Sequence, residues 1–220
     1  AELTTLTSFE ETGEIRATDA GWQSFTTLSN LRHLKLPARL TKGSLRSLAT
    51  LTKIESLDIQ ECSLLQDNDL VELKNFSNLR RLKLPHGLNG AAVGHIKVLR
   101  DLEELRFRTD AISDSALAQL FLLPNLRALH VCSFGVECLA LSKSSPRLDE
   151  LSIEFCRSET EILDLSGWIR VKSLALGDEV KGSSGALLLP RDLRCLKVKA
   201  WQAEDIQARG FHLVKPFPKN

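Results

Sequence analysis

The most regular feature of the chain is a six-residue pattern: an apolar residue, two variable residues, Leu, one variable residue and a second apolar residue. It reads Leu31-Arg-His-Leu34-Lys-Leu36 at its first full occurrence. The eight copies start at Leu31, Ile54, Leu79, Leu102, Leu126, Leu148, Val171 and Leu193. Successive copies therefore start 22 to 25 residues apart. A period of this length predicts a repeat architecture in which each copy is one structural unit.

The hydrophobic period changes within each unit. The end of the six-residue pattern alternates apolar and polar residues, as a half-buried strand does. Apolar residues then recur at every third position, which predicts a helix with one apolar stripe. The stripes are Trp22/Phe25/Leu28, Leu45/Leu48/Leu51, Leu70/Leu73/Phe76, Val93/Ile96/Leu99, Leu117/Leu120/Leu123 and Ile162/Leu165/Trp168. Asp67 and Ser113 precede two stripes and are expected to be N-caps. Each unit is predicted to be a strand, a turn, a helix and a return loop, with neighbouring strands parallel.

The pattern resembles the leucine-rich repeat from about residue 3 to about residue 200. The resemblance implies an α/β solenoid of about eight to nine repeats, each of 22–25 residues. It would be a right-handed horseshoe with a parallel sheet on the concave face and helices on the convex face.

We expect one domain over residues 1–220. Residues 1–30 form an atypical N-terminal repeat or cap in this interpretation, with a weak strand at Leu3-Thr-Thr-Leu6. The repeats occupy 31–200, and Pro190 shortens the seventh unit. Residues 201–220 are expected to form a C-terminal cap, with a short helix over 201–209, and an irregular tail.

The five cysteines bear on the subclass and the setting. They include no C-x-x-C pair, and their odd number and wide spacing favour free thiols in a reducing compartment. Cys62 and Cys156 occupy the ninth position of their units, which resembles the cysteine-containing repeats of F-box substrate receptors and the short repeats of bacterial effectors. That resemblance implies an intracellular adaptor or a protein delivered into a host cytosol. Other units carry Arg39, Gly87 or other residues at this position.

Composition and charge exclude several classes of protein. The chain has 42 Leu among 220 residues and 43% hydrophobic residues, so it is not an intrinsically disordered sequence. A net charge of +1 argues against a basic nucleic-acid binder. There is no apolar run of about 18 residues that could span a membrane, and no visible signal peptide. We therefore expect a cytoplasmic protein or one delivered into a host cytosol.

The outward positions of the strands form the candidate binding face. Basic residues dominate its first half, and acidic residues appear around the sixth full unit. The predicted partner-binding residues are Lys35, Asp58, Arg81, Lys83, Glu104, Arg106, Arg108, His130, Glu150 and Glu154. Two interpretations stay open. The charges could pair with one another across neighbouring strands, or they could select a protein partner by charge.

Few residues suggest chemistry. His130 and Cys132 lie two residues apart on one strand face, which is too loose for a catalytic dyad. No phosphate-binding or hydrolase motif occurs, and no histidine cluster predicts a metal. We therefore predict no catalytic residue, no metal and no cofactor. The predicted function is that of a non-enzymatic module that binds a protein through the concave face. We expect no membrane partner and no small-molecule substrate, and the charge argues against a nucleic-acid partner.

Two other hypotheses remain. One is a recognition domain fused to an enzyme, such as a ubiquitin ligase or another effector catalytic domain, outside this chain. The other is a nucleic-acid contact through basic residues of the face, and a steep loss of affinity with salt would mark it. Those residues are Lys35, Arg81, Lys83, Arg106 and Arg108.

Overall fold

The fold was analysed in a computed structural model. It describes residues 3–11, 18–109, 113–133, 148–154, 163–164, 171–176, 187–188 and 193–198. The strands within these residues are β1 (Ser8–Glu10), β2 (His33–Lys35), β3 (Ser56–Asp58), β4 (Arg81–Lys83), β5 (Glu104–Thr109), β6 (Ala128–Ser133), β7 (Glu150–Glu154), β8 (Leu163–Asp164), β9 (Ser173–Leu176), β10 (Leu187–Leu188) and β11 (Cys195–Val198). The α-helices are α1 (Asp19–Gln23), α2 (Lys42–Leu48), α3 (Ala92–Ile96) and α4 (Asp114–Leu120), and two 3-10 helices span Ser24–Thr27 and Asp67–Asn75. The predicted cap and tail over 201–220 lie outside the described residues.

One parallel sheet organises the chain. Nine strands follow one another in the order β1-β2-β3-β4-β5-β6-β7-β9-β11, and every neighbouring pair is parallel. The central Leu of each pattern faces the central Leu of the next, as in Leu34 opposite Leu57 and Leu57 opposite Leu82. Repetition of the strand, helix and return loop fits a leucine-rich-repeat-like fold.

The core lies between the strands and the helices. Leu34 and Leu36 on β2 and just after it are 2% exposed, and Leu45 and Leu48 on α2 are fully buried. These leucines belong to one continuous cluster of buried side chains. The alternate residues of the strands, His33 and Lys35 on β2, are half-buried. We call this second side of the sheet the open face.

The helical segments are shorter than the stripes predict. The stripe Leu70/Leu73/Phe76 lies on and just after the 3-10 helix Asp67–Asn75, because a spacing of three residues matches three residues per turn. Asp67 is not the N-cap: that residue is Gln66, which forms a capping box with Asp69. Ser113 does cap its helix, since its Oγ accepts a hydrogen bond from the Ala116 N–H at 3.3 Å.

The first strand does not lie where the sequence predicts it. Leu3 is 64% exposed, and the strand is Ser8–Glu10. Phe9 pairs with Leu34 in the sheet register, so residues 6–11 are a divergent copy of the repeat pattern. Phe9 replaces the central Leu, and the buried Glu11 replaces the last apolar residue. These two replacements hide the copy from a search for leucines.

The structure also differs from expectation near the C-terminus. The stripe Ile162/Leu165/Trp168 predicts a helix, yet Leu163–Asp164 is strand β8. It pairs in parallel with β10, Leu187–Leu188, in a separate two-stranded sheet. The predicted helix is therefore wrong at these two residues, and the rest of the stripe lies outside the described residues.

Polar side chains join one unit to the next. Asn78 Nδ2 donates to the Thr52 carbonyl oxygen at 2.7 Å, and Asn30 and Asn125 make the equivalent bond in their units. On the helix side, Arg46 Nη2 lies 2.8 Å from Oε1 of the buried Glu72. These contacts hold return loops and helical segments together, so the open face is displayed on a continuous scaffold.

Candidate functional site

The sheet register places the outward residues in columns. The central column contains Glu10, Lys35, Asp58, Lys83, Arg106, His130, Ser152, Ala175 and Lys197. The column before it contains Ser8, His33, Ser56, Arg81, Glu104, Ala128, Glu150, Ser173 and Cys195. A third column exists where the strands are longer and contains Arg108, Cys132 and Glu154. All ten predicted binding residues lie in these columns.

Charges on the first four strands pair with one another. Lys35 Nζ lies 2.6 Å from Glu10 Oε1, and Lys83 Nζ lies 2.7 Å from Asp58 Oδ2. The hydrogen bond to Glu10 raises the pKa of Lys35, because the carboxylate stabilises the ammonium form. The self-paired interpretation therefore describes this part of the open face.

The fifth strand carries two arginines and one carboxylate. Glu104 Oε1 lies 3.4 Å from Arg106 Nε and 3.9 Å from His130 Nε2. Arg106 and Arg108 are both exposed. Positive charge is therefore concentrated on and beside β5. Arg81, in the neighbouring column of β4, is also exposed, and its Nη2 lies 3.4 Å from His33 Nδ1.

A cleft opens beside these arginines, where β4 leaves the sheet. The pairing of β4 with β5 ends at Lys83 and Arg106 and resumes at an isolated bridge between Leu88 and Thr109. Four residues, 84–87, thus lie opposite only two, 107–108, and the longer segment must bulge outward. Pro85 has no N–H to continue the ladder, and Gly87 allows the turn with a φ of 79°.

The cleft has a volume of about 140 Å³. Polar and basic residues dominate its rim, and buried apolar residues are part of its lining. The lining residues are Gln60, Leu84, His86, Arg106, Phe107, Arg108, His130, Val131 and Ser152. Of the predicted binding residues, the structure brings Arg106, Arg108 and His130 together here.

The other predicted residues lie elsewhere on the face. Glu150 is exposed on β7, and the backbone of Glu154 pairs with that of Cys132 on β6. The side chains of Glu154 and Cys132 lie outside the described residues. The neighbouring Asp149 lies in another column, and its Oδ1 lies 2.5 Å from Lys172 Nζ.

The sequence analysis missed a fourth column at the second position of the pattern. It contains Arg32, Glu55, Arg80, Glu103, Arg127, Asp149, Lys172 and Arg194, whose charges alternate in sign as far as Lys172. Arg32 pairs with Glu55, and Arg80 Nη1 lies 2.5 Å from Glu103 Oε1. In this column, two N–H groups of the next unit donate to each of the backbone carbonyl oxygens of Arg32, Glu55, Arg80, Glu103 and Arg127. The alternation of charge sign along the sequence could have revealed this column. Its charges pair between neighbouring units, so we assign the column a structural role.

Cys62 has a structural role in the described chain. It is fully buried, and its Sγ lies 3.1 Å from the Pro37 carbonyl oxygen, to which it donates. Burial raises the pKa of the Cys62 thiol to about 12, so it is not a nucleophile near neutral pH. Cys62 and Cys195 are free thiols, as predicted. Cys138 and Cys156 lie outside the described residues.

Two remaining kinds of feature are metal-binding side-chain clusters and membrane-spanning helices. Among the residues that the structure describes, no three His, Cys, Asp or Glu side chains are grouped to hold a metal ion. No helix in the described ranges has the length and apolarity needed to cross a bilayer.

Comparisons with solved structures give structural likenesses, one of which is to an internalin. No protein-family model matches the chain, and no curated protein matches it. The chain is similar to the crystal structure of an internalin from Listeria monocytogenes, with 16% sequence identity and a TM-score of 0.37. The likeness covers 80% of this chain, and the chain spans 65% of that internalin. The fold assignment rests on the repeating unit and the parallel register of the chain itself.

Proposed function

We propose that this chain is a protein-interaction module that binds a protein partner through the open face of its sheet. The observation that carries the proposal is a column of outward register positions that runs across nine parallel strands and passes a cleft on β5 and β6. At about 4.8 Å per strand the sheet is roughly 40 Å long, which is enough for many side chains of a partner to dock at once. An extended binding face of this kind does not need a deep pocket.

Charged side chains would select the partner, and they are distributed unevenly over the open face. Lys35 and Lys83 already have carboxylate partners at 2.6 and 2.7 Å. Charged groups of this kind guide orientation and the rate of encounter more than affinity. Arg106 also has a carboxylate neighbour, Glu104, but at 3.4 Å, and it lies beside the exposed Arg108, so we place the positive end of the selective surface on β5.

We further propose the finer architecture and setting that the resemblance implies. The repeats would curve into a right-handed horseshoe of eight to nine units whose concave side is the open face. The protein would act as an intracellular adaptor or as an effector delivered into a host cytosol. The buried free thiol of Cys62 supports a reducing compartment.

An affinity capture from cell lysate, read by mass spectrometry, tests the function with two charge-reversed proteins. The face variant carries Lys83→Glu and Arg106→Glu. The matched control carries Lys74→Glu and Lys97→Glu, two exposed lysines of the helix side. Both variants change the net charge by the same amount, and circular dichroism verifies their folding.

The proposal expects a partner that the unmodified chain and the helix-side control retain and the face variant loses. Retention by the face variant together with loss by the control would place the interface on the helices and contradict the proposal. Equal retention by all three proteins would also contradict it, since an interface on β4 and β5 cannot tolerate two reversed charges.

A further inference from the structure

The cleft lies where Arg106, Arg108 and His130 meet the segment after β4. We propose that it receives a carboxylate from an acidic peptide segment of the protein partner. This inference rests on the proposed function and deepens it by naming the chemistry of the partner.

The cations of the cleft converge because strand length changes at this point. β4 has three residues, whereas β5 and β6 have six each. The additional length carries Arg108 beyond the last ladder pair of β4, to the level of the bulge. His130 faces Arg106 across the β5–β6 register, and Arg108 follows Arg106 two residues later on the same face of β5.

Guanidinium chemistry favours a carboxylate. Arginine presents a planar set of N–H donors that matches the two oxygens of a carboxylate. Further donors lie around the cleft, since Gln60, His86 and Ser152 belong to its lining. Among the carboxylates of the described chain, Glu104 contacts Arg106 through Nε at 3.4 Å. This contact involves the Nε–H of the guanidinium. The N–H groups on its two Nη atoms can therefore face a second carboxylate.

The size of the cleft favours one side chain over a whole cofactor. Its volume is about 140 Å³. Pockets for drug-sized ligands have about 300–1,000 Å³, whereas a cavity of about 150 Å³ holds a benzene ring. The carboxylate and methylenes of Glu are of this second size. Buried Phe107 and Val131 give the methylenes an apolar contact.

The geometry of the strands favours an extended peptide as the carrier. The cleft opens onto the central column, which continues along the sheet on both sides of Arg106. A peptide laid across the strands would place one acidic side chain in the cleft and its neighbours over β4 and β6. A nucleic-acid backbone carries a phosphate at every nucleotide and would bring several of them against the carboxylates of Asp58 and Glu104, whereas a peptide needs only one acidic side chain.

The first experiment is a titration of the full ¹⁵N-labelled chain with the peptide Gly-Ser-Glu-Glu-Glu-Glu-Ser-Gly, followed by amide chemical shifts. The same peptide with Gln in place of Glu is the control ligand. We expect saturable shifts that centre on Arg106, Arg108, His130 and Ser152, and at least tenfold weaker binding of the Gln peptide. Equal binding of the two peptides, or shifts spread evenly from Lys35 to His130, would overturn the proposal.

Variants then separate the cleft from the face as a whole. Arg108→Gln and Arg106→Gln should each weaken the Glu peptide about tenfold, the loss expected for one charge-assisted hydrogen bond. The matched control is Arg81→Gln, which removes one exposed arginine from the same face outside the cleft. An equal loss in the control would overturn the assignment to the cleft. Two arginine variants are used so that a folding defect in one leaves the other as the test.

Other anions provide the remaining arms of the test. Inorganic phosphate and a single-stranded thymidine oligonucleotide are titrated at the same ionic strength. Tighter binding of either one at the same amides would overturn the acidic-peptide assignment in favour of a phosphate group. If the Glu peptide fails while partner capture still depends on Lys83 and Arg106, only this inference falls. If the peptide binds while the face variant retains the captured partner, the proposed function falls and the anion site stands.

Discussion

The first four strands of the sheet and the next three show how one repeat pattern produces two kinds of surface. β1 to β4 have three residues each, and their central column pairs Glu10 with Lys35 and Asp58 with Lys83. β5 to β7 have five or six residues and display a third column. The short strands therefore form a self-paired surface, and the longer strands form a cleft rich in arginine. A change in strand length, with the core pattern unchanged, creates the candidate site.

The largest expected effect tests whether both regions share one core. Leu57 on β3 and Leu105 on β5 are both essentially buried at the same position of the pattern. Replacing either one with Ala should lower the free energy of unfolding by about 2–5 kcal/mol, because the lost side chain leaves a cavity. Urea denaturation followed by circular dichroism measures both variants. A loss below 1 kcal/mol at Leu105 alone would show that the longer strands are not packed on the core as the short strands are.

The second prediction concerns the boundary between the two regions, where Gly87 shapes the bulge after β4. Gly87 has a φ of 79°, and an added Cβ would meet no atom within 4 Å. Gly87→Ala should therefore cost about 1–2 kcal/mol through backbone strain alone. Gly94 in α3 has equally open space without the positive φ, so Gly94→Ala should stabilise the protein by about 0.4–1 kcal/mol. Thermal denaturation compares the pair, and effects of the same sign would contradict the role given to Gly87.

Sequence reasoning predicts the sheet well because one local rule decides it. Each of the first five six-residue copies buries its three apolar residues, so register follows from aligning the leucines, as in Leu82 opposite Leu105. The open-face columns follow from the same alternation. The first strand escapes detection because Phe9 and Glu11 break the rule, although the neighbouring unit still imposes the register.

The cleft could not be predicted in the same way. Its lining combines residues of β5 and β6 with Gln60, Ser152 and the segment after β4, where the pairing with β5 stops before the Leu88–Thr109 bridge. Counting positions along the repeat places each residue in a column. It does not predict how many residues of two neighbouring strands pair with each other. The helix predicted from Ile162/Leu165/Trp168 is wrong at Leu163–Asp164 for a related reason, since these two residues pair with β10 instead of following the local period.

A smaller effect is expected at the ladder of alternating charges, which runs through both regions. Arg80 and Glu103 are 55% and 41% exposed and lie 2.5 Å apart at the junction of β4 and β5. A double-mutant cycle with Arg80→Gln and Glu103→Gln should give a coupling energy of about 0.2–1 kcal/mol. The coupling should shrink in 1 M salt, because screening acts within about 3 Å there. A coupling energy above 2 kcal/mol that persists in 1 M salt would mean that the ion pairs of this column contribute substantially to the free energy of unfolding.

The smallest effect is a pH dependence confined to the short-strand region. Asp19 in the first turn of α1 accepts hydrogen bonds from Ser44 Oγ and from Thr41 Oγ1, the latter at 2.6 Å. The bonds from Ser44 and then Thr41 lower the pKa of Asp19 below its usual 3.8, because they stabilise the carboxylate. A lowered folded-state pKa contributes stability that is present above the unfolded pKa of 3.8 and is lost as the pH falls through the folded pKa.

Asp19→Asn isolates this contribution, since Asn keeps an oxygen acceptor and does not titrate. The difference in free energy of unfolding between the native chain and Asp19→Asn should be constant from pH 7 to about pH 5 and should shrink below pH 3.8. Urea denaturation at intervals down to pH 2.5 measures it. A difference that grew on acidification would mean that the folded chain favours the protonated acid, so the two hydroxyls would not be donating to Asp19. The link between α1 and α2 in the short-strand region would then need another explanation.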